Sequence, residues 1–106
     1  MSTLAEKVAE VREVNTANGW RDTTYTFGDH VALLHSEASE ALEAYRVWGL
    51  DDATGAKPEG VGSEFADVLI RLLDMCDVYG VDLEAEYVRK MAYNRTRGYR
   101  HGGKTL

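Results

Sequence analysis

Between Asp29 and Trp48 the residues Val31, Leu34, Ala38, Ala41, Leu42, Tyr45 and Trp48 recur mostly at spacings of three and four. That period lines one face of an α-helix and fits no strand. A second stripe, Phe65, Val68, Leu69, Leu72, Cys76 and Tyr79, follows a stretch holding Gly49, Gly55, Pro58, Gly60 and Gly62. Glycine and proline at that density break regular structure. The chain therefore reads as two long amphipathic helices joined by a loop, and each must bury its stripe against another element. Antiparallel packing of the two is the natural solution. The loop, Gly49 to Gly62, is longer than most helix connections, which suggests a function of its own.

The flanks extend the pattern. Leu4, Val8, Val11 and Val14 mark a first helix from Ser2 to about Asn18, closed by Asn18 and Gly19. Ser63 is positioned to cap the third helix, and Gly80 to end it. Asp82 caps a fourth, with Leu83, Tyr87 and Met91 on one face, and that helix fades by Gly98. β-Branched runs and period-two alternation are scarce. The expected fold is an all-α, four-helix bundle forming one domain over residues 1–106, with 98–106 a mobile basic tail. A chain of 106 residues buries only about 65% of the surface it exposes when unfolded. Trp48, Met75, Tyr79 and Tyr87 are large for so thin a core, so self-association is expected to complete it.

Charge narrows the partners. The formal net charge is −6, which argues against a nucleic-acid polymer as ligand. The basic residues concentrate from Arg89 to Lys104, so an acidic body precedes a basic end. Cys76 stands alone within an apolar stripe and reads as a small buried hydrophobe. No apolar run approaches the length of a membrane span, and Met1 to Glu10 lacks a signal-peptide pattern, so the cytoplasm is the default expectation.

Within the acidic body two pairs stand out: Glu37 with Glu40, and Glu64 with Asp67. Residues three apart share a helix face, so each pair can act as a two-toothed ligand. At about 100° per residue, Glu37 falls about 80° from the centre of its stripe, with Glu40 further round on the same side. Glu64 and Asp67 take nearly the same offsets on the next helix. Antiparallel packing through the stripes would bring the pairs to one edge. Four carboxylates in close quarters repel and raise one another's pKa values, and a hard divalent cation resolves this. Oxygen-only ligands favour Mg²⁺ over zinc. Glu43, Asp74, Asp77 and Glu84 read instead as solvated helix faces. Glu37, nearer the seam, is the first choice for a general base.

The acidic pairs, read as Glu37-Ala-Ser-Glu40 and Glu64-Phe-Ala-Asp67, together with KMAYNRTRGYRHGGK at the C-terminal end, resemble the MazG-like all-α nucleotide pyrophosphohydrolases. That family, which includes dimeric dUTPases and dCTP pyrophosphatases, carries E-x-x-E, a spacer of roughly two dozen residues, then E-x-x-D. The likeness runs from Gly28 to Lys104 and looks closest to the small phage and bacterial single-domain members. It implies hydrolysis of a nucleoside triphosphate to monophosphate and pyrophosphate, with Mg²⁺ or Mn²⁺ as cofactor. It implies that Glu37, Glu40, Glu64 and Asp67 bind the metal, and that Lys90, Asn94 and Arg97 meet phosphate or sugar. It also implies a dimer, or dimers paired into a tetramer.

Trp20 lies where related enzymes carry a base-stacking aromatic; core packing at the first connection explains it equally well. Lys104, beside Gly102 and Gly103, could close over the phosphates as the tail folds down. His30 and His35 precede the first pair without completing the Glu-x-x-His spacing of a di-iron bundle, and His35, near the apolar stripe, reads as a core histidine. The alternative from another class is a non-catalytic helical interaction module that keeps the fold.

Overall fold

A computed structural model describes residues 2–50 and 59–106. Among them the chain is helical, and no strand is present: α1 (Leu4–Ala17), a 3₁₀ turn (Trp20–Asp22), α2 (Phe27–Trp48), α3 (Val61–Tyr79), α4 (Leu83–Thr96) and a last turn, Arg100–Gly103. The all-α expectation holds. Among the described residues no helix is long and apolar enough to cross a membrane. The loop expected over Gly49–Gly62 falls largely outside the described residues.

Local chemistry sets the helix ends. Thr3 and Glu6 form a reciprocal capping box at the start of α1, and Thr26 and Asp29 form another at the start of α2. The second box begins α2 two residues earlier than the apolar stripe alone suggests. Asp82 caps α4 by accepting from the Ala85 amide, as expected. Ser63 does not cap α3. Gly60 does, at φ 107°, and Ser63 falls inside the first turn. That backbone conformation lies in a region only glycine enters readily, so the glycine overrides the better capping side chain.

α2 runs antiparallel to α3, because Phe27 meets the Tyr79 ring while Glu37, further along α2, meets Arg71, earlier in α3. α1 covers α3 from another side. Leu73 is the most deeply buried large side chain, at 2% exposure, beside buried Cys76, Ala41, Ala44, Val61 and Val11. The core is rotated from the expected stripes. In α2 the buried positions are His30, Glu37, Ala41 and Ala44. Leu42, Tyr45, Trp48, Phe65 and Leu69 stay substantially exposed. The reason is the width of the apolar stripe: each helix carries more apolar surface than one partner covers, and the helices approach through the small residues.

α4 leans on α1 and buries none of its own residues, leaving Leu83, Tyr87 and Met91 to form a shallow groove with Glu86 and Lys90. The radius of gyration is 16.5 Å, against about 13 Å for a compact domain of about this length. In the last turn Arg100 and His101 both take positive φ, near 50°, and the segment is exposed throughout.

Asp74 and Asp77 are not a solvated face. Arg12 of α1 and Arg21 of the 3₁₀ turn converge on Asp77 at 2.6 and 2.8 Å, and Arg21 and Asn15 reach Asp74 at 2.8 and 3.1 Å. This network fastens α1 and the connection after it onto α3. The Arg12 guanidinium, with Arg21 beside it, holds the Asp77 carboxyl below its ordinary value of 3.8. A depressed folded pKa adds stability above the unfolded value and loses it as pH falls through the folded one. Asp77→Asn should therefore cost about 1–3 kcal/mol at neutral pH. The gap between variant and wild type should close below the ordinary value of 3.8, as read by urea unfolding across an acid series.

Candidate metal centre

The antiparallel seam brings carboxylates from both helices to one edge. Glu37 and Glu40 of α2 and Glu64 of α3 each offer an oxygen, and the three lie within 4.8 Å of one another. Glu37 is buried, Glu64 half-buried and Glu40 exposed, so the cluster opens from the helix seam to the surface. Burial first, and the adjoining Glu40 carboxyl second, push the Glu37 carboxyl above its ordinary value, with Arg71 pulling the other way. The donor set is oxygen-only and negatively charged, and its spacing suits a single hard cation that keeps open positions for water and phosphate. The residues present fit Mg²⁺ or Mn²⁺.

Asp67, the fourth expected ligand, is not part of this three-oxygen group. It sits one turn further along α3, at the wall of a neighbouring cleft of about 630 Å³ with Glu37, Arg71, His30, Trp20 and Tyr25. The i+3 step that keeps Glu40 within reach of the cluster moves Asp67 toward the cleft, because α3 runs the opposite way across the seam. Glu37 belongs to both places, so the cluster and the cleft form one continuous site.

Trp20 stands at the cleft, 56% exposed. Its place is not in the core. The 3₁₀ turn that carries it is fixed by Arg21 to Asp74 and Asp77, so the indole is presented by a fastened segment. His30, not His35, is the buried histidine. Its ring meets Tyr25 and Tyr79 edge-on at 5.7 and 5.6 Å, and its Nδ1 lies 3.9 Å from Asp74. His35 is exposed. The stripe put His35 inward because it overlooked that α2 turns its small residues toward α3.

Lys90, Asn94, Arg97 and Lys104 do not line this cleft. Lys90 and Arg97 flank the Tyr93 ring at 5.9 and 5.5 Å from its centroid, and Lys104 lies in the exposed tail. Within one chain, α4 packs chiefly on α1. Sequence reasoning missed Arg71. A basic residue four positions after Asp67 and seven after Glu64 shares their helix face, which was the available signal.

Over 85% of its length the chain is 32% identical to a protein of Salmonella phage PMBT28 named dATP/dGTP diphosphohydrolase. It spans 27% of that longer relative. No family model and no solved structure matches. The likeness covers most of this chain, including the greater part of the two helices that carry the carboxylates, and ties it to a protein named for nucleotide hydrolysis.

Isothermal titration with Mn²⁺ in the absence of nucleotide checks the ligand set. Glu40→Gln and Glu64→Gln should each weaken binding by about tenfold or more. Asp67→Asn, outside the three-oxygen group, should weaken it less.

Proposed function

We propose that this chain is a Mg²⁺-dependent nucleoside triphosphate pyrophosphohydrolase, producing a nucleoside monophosphate and pyrophosphate. The observation that carries the reading is the convergence of Glu37, Glu40 and Glu64, of which Glu37 also lines a cleft that holds Trp20 and Arg71. The name of the phage relative supports a nucleotide as substrate.

The arrangement suits a polyanionic substrate only with a counter-charge. A triphosphate carries about four negative charges and an acidic site repels it, so a divalent cation is required to join them; when bound it neutralises phosphate oxygens and acidifies a coordinated water. Glu37, Glu40 and Glu64 would hold it, with Asp67 completing the set toward the substrate. Glu37 is the group to take the proton of the attacking water. Its burial raises its affinity for that proton, which makes it a stronger base than an exposed carboxylate. As water attacks phosphorus, the bond to pyrophosphate breaks and the proton passes to Glu37. Trp20, presented at the cleft edge, is placed to stack on the base.

Lys90, Asn94 and Arg97 enter this account through a second copy. α4 exposes its apolar face, and α2 and α3 expose Leu42, Tyr45, Phe65 and Leu69. These surfaces are large enough to ask for a partner. A second copy covering them would bring another basic α4 toward the carboxylates, where its cations would stabilise the leaving pyrophosphate.

Pyrophosphate release from a nucleoside triphosphate panel should require Mg²⁺ or Mn²⁺ and stop in EDTA. Glu40→Gln should abolish it while circular dichroism stays helical. Undiminished release in chelator contradicts the reading. Sedimentation should give a dimer or larger at micromolar concentration, and a stable monomer of 11.8 kDa contradicts the shared site.

A further inference from the structure

Arg71 is the cation that meets the buried member of the carboxylate cluster. Its Nε donates to Glu37 Oε1 at 3.2 Å. The contact is single and comparatively long, unlike the 2.6–2.8 Å grip of Arg12 and Arg21 on Asp77. The Arg71 side chain is 37% exposed and lines the cleft beside Asp67, so much of the guanidinium remains in reach of a bound molecule. A guanidinium has five N–H donors and one is committed to Glu37.

The geometry creates a competition. Glu37 is both a member of the three-oxygen cluster and the acceptor for Arg71. A divalent cation arriving at the cluster draws on the charge that holds Arg71, and like charges then oppose the guanidinium staying where it is. The cleft is the open direction for it to move. A planar guanidinium matches two phosphate oxygens at once, and such paired, charge-assisted hydrogen bonds are among the strong ones.

We propose that Arg71 is a phosphate-binding arm that Glu37 holds in the free site and that exchanges onto the substrate's phosphates when a divalent cation takes Glu37. The inference rests on the metal-dependent triphosphate reading above and deepens it. Metal alone must displace Arg71 without giving it a new partner. Metal together with a triphosphate gives Glu37 the cation and Arg71 the phosphates, so the two ligands bind with positive coupling. Arg71 thereby disfavours the empty-handed metal complex and favours the complete one.

The test measures Mn²⁺ binding to the full chain by electron paramagnetic resonance, alone and with an α,β-non-hydrolysable triphosphate analogue. Arg71→Gln, which keeps the side chain polar and removes its charge, should bind Mn²⁺ alone as tightly as wild type or tighter. It should lose analogue affinity in the presence of Mn²⁺, so that the coupling falls by about tenfold. Arg71→Lys should recover part of the coupling, since it restores charge without the planar fork. If Arg71→Gln weakens Mn²⁺ binding without nucleotide, Arg71 is a prop for Glu37 and the exchange is wrong. Unchanged analogue affinity in both variants overturns it equally. If wild type binds no Mn²⁺, or Glu64→Gln leaves that binding intact, the metal-site reading fails, a result distinct from failure of the arginine exchange alone.

Discussion

Ala41 and Ala44 put only methyl groups on the buried side of α2, and its chief partner is α3, whose own buried positions include Leu73 and Cys76. Small residues let helix axes approach, and the approach sets everything at the edge of the seam. Glu37, on the same buried face, is drawn inward with the alanines, and Glu40 and Glu64 follow it to within 4.8 Å. A carboxylate dragged into a seam resists ionisation, and burial is the leading cause of the raised Glu37 pKa. Fold and site are therefore one problem: the contact that forms the core also draws the carboxylates together.

The acidic residues spaced i, i+3 on α2 and α3 are treated differently by the structure. Asp74 and Asp77 receive two arginines and an asparagine from α1 and the following turn. They are satisfied internally, and they anchor the segment that presents Trp20. Glu37 receives one arginine through one hydrogen bond while clustering with Glu40 and Glu64. Protein cations fasten one pair for structure. The cluster further along the seam gathers three carboxylates around an arginine contact to Glu37, a grouping that a divalent cation would relieve.

The helices were legible because their signals are local: apolar period, capping residues and glycines lie within a few positions of what they determine. Asp82 and Gly80 act as their positions suggest. The meeting of Glu37, Glu40 and Glu64 at one edge was legible, since matching offsets on antiparallel helices require no knowledge of side-chain detail. What failed was rotation and partnership. The stripes of α2 and α3 are wider than one interface, so periodicity does not tell which half is buried, and His30 and Glu37 face the core in place of His35 and Leu42. Asp74 and Asp77 looked solvated because their partners, Arg12 and Arg21, are distant in sequence. Asp67, which spacing places beside the other three carboxylates, lines the adjoining cleft and is not within their three-oxygen group. The same limit hid Arg71, whose meaning depends on a residue of the other helix.

The central claim is that the α2–α3 seam holds a divalent cation between Glu37, Glu40 and Glu64. Crystals grown with Mn²⁺ and a non-hydrolysable nucleoside triphosphate would test it directly through anomalous scattering. The account predicts a manganese peak bonded to oxygens of these three carboxylates, with Mn–O distances near the roughly 2.1 Å of a hard cation. A peak elsewhere, or nucleotide bound in the cleft with no metal at these side chains, would contradict it.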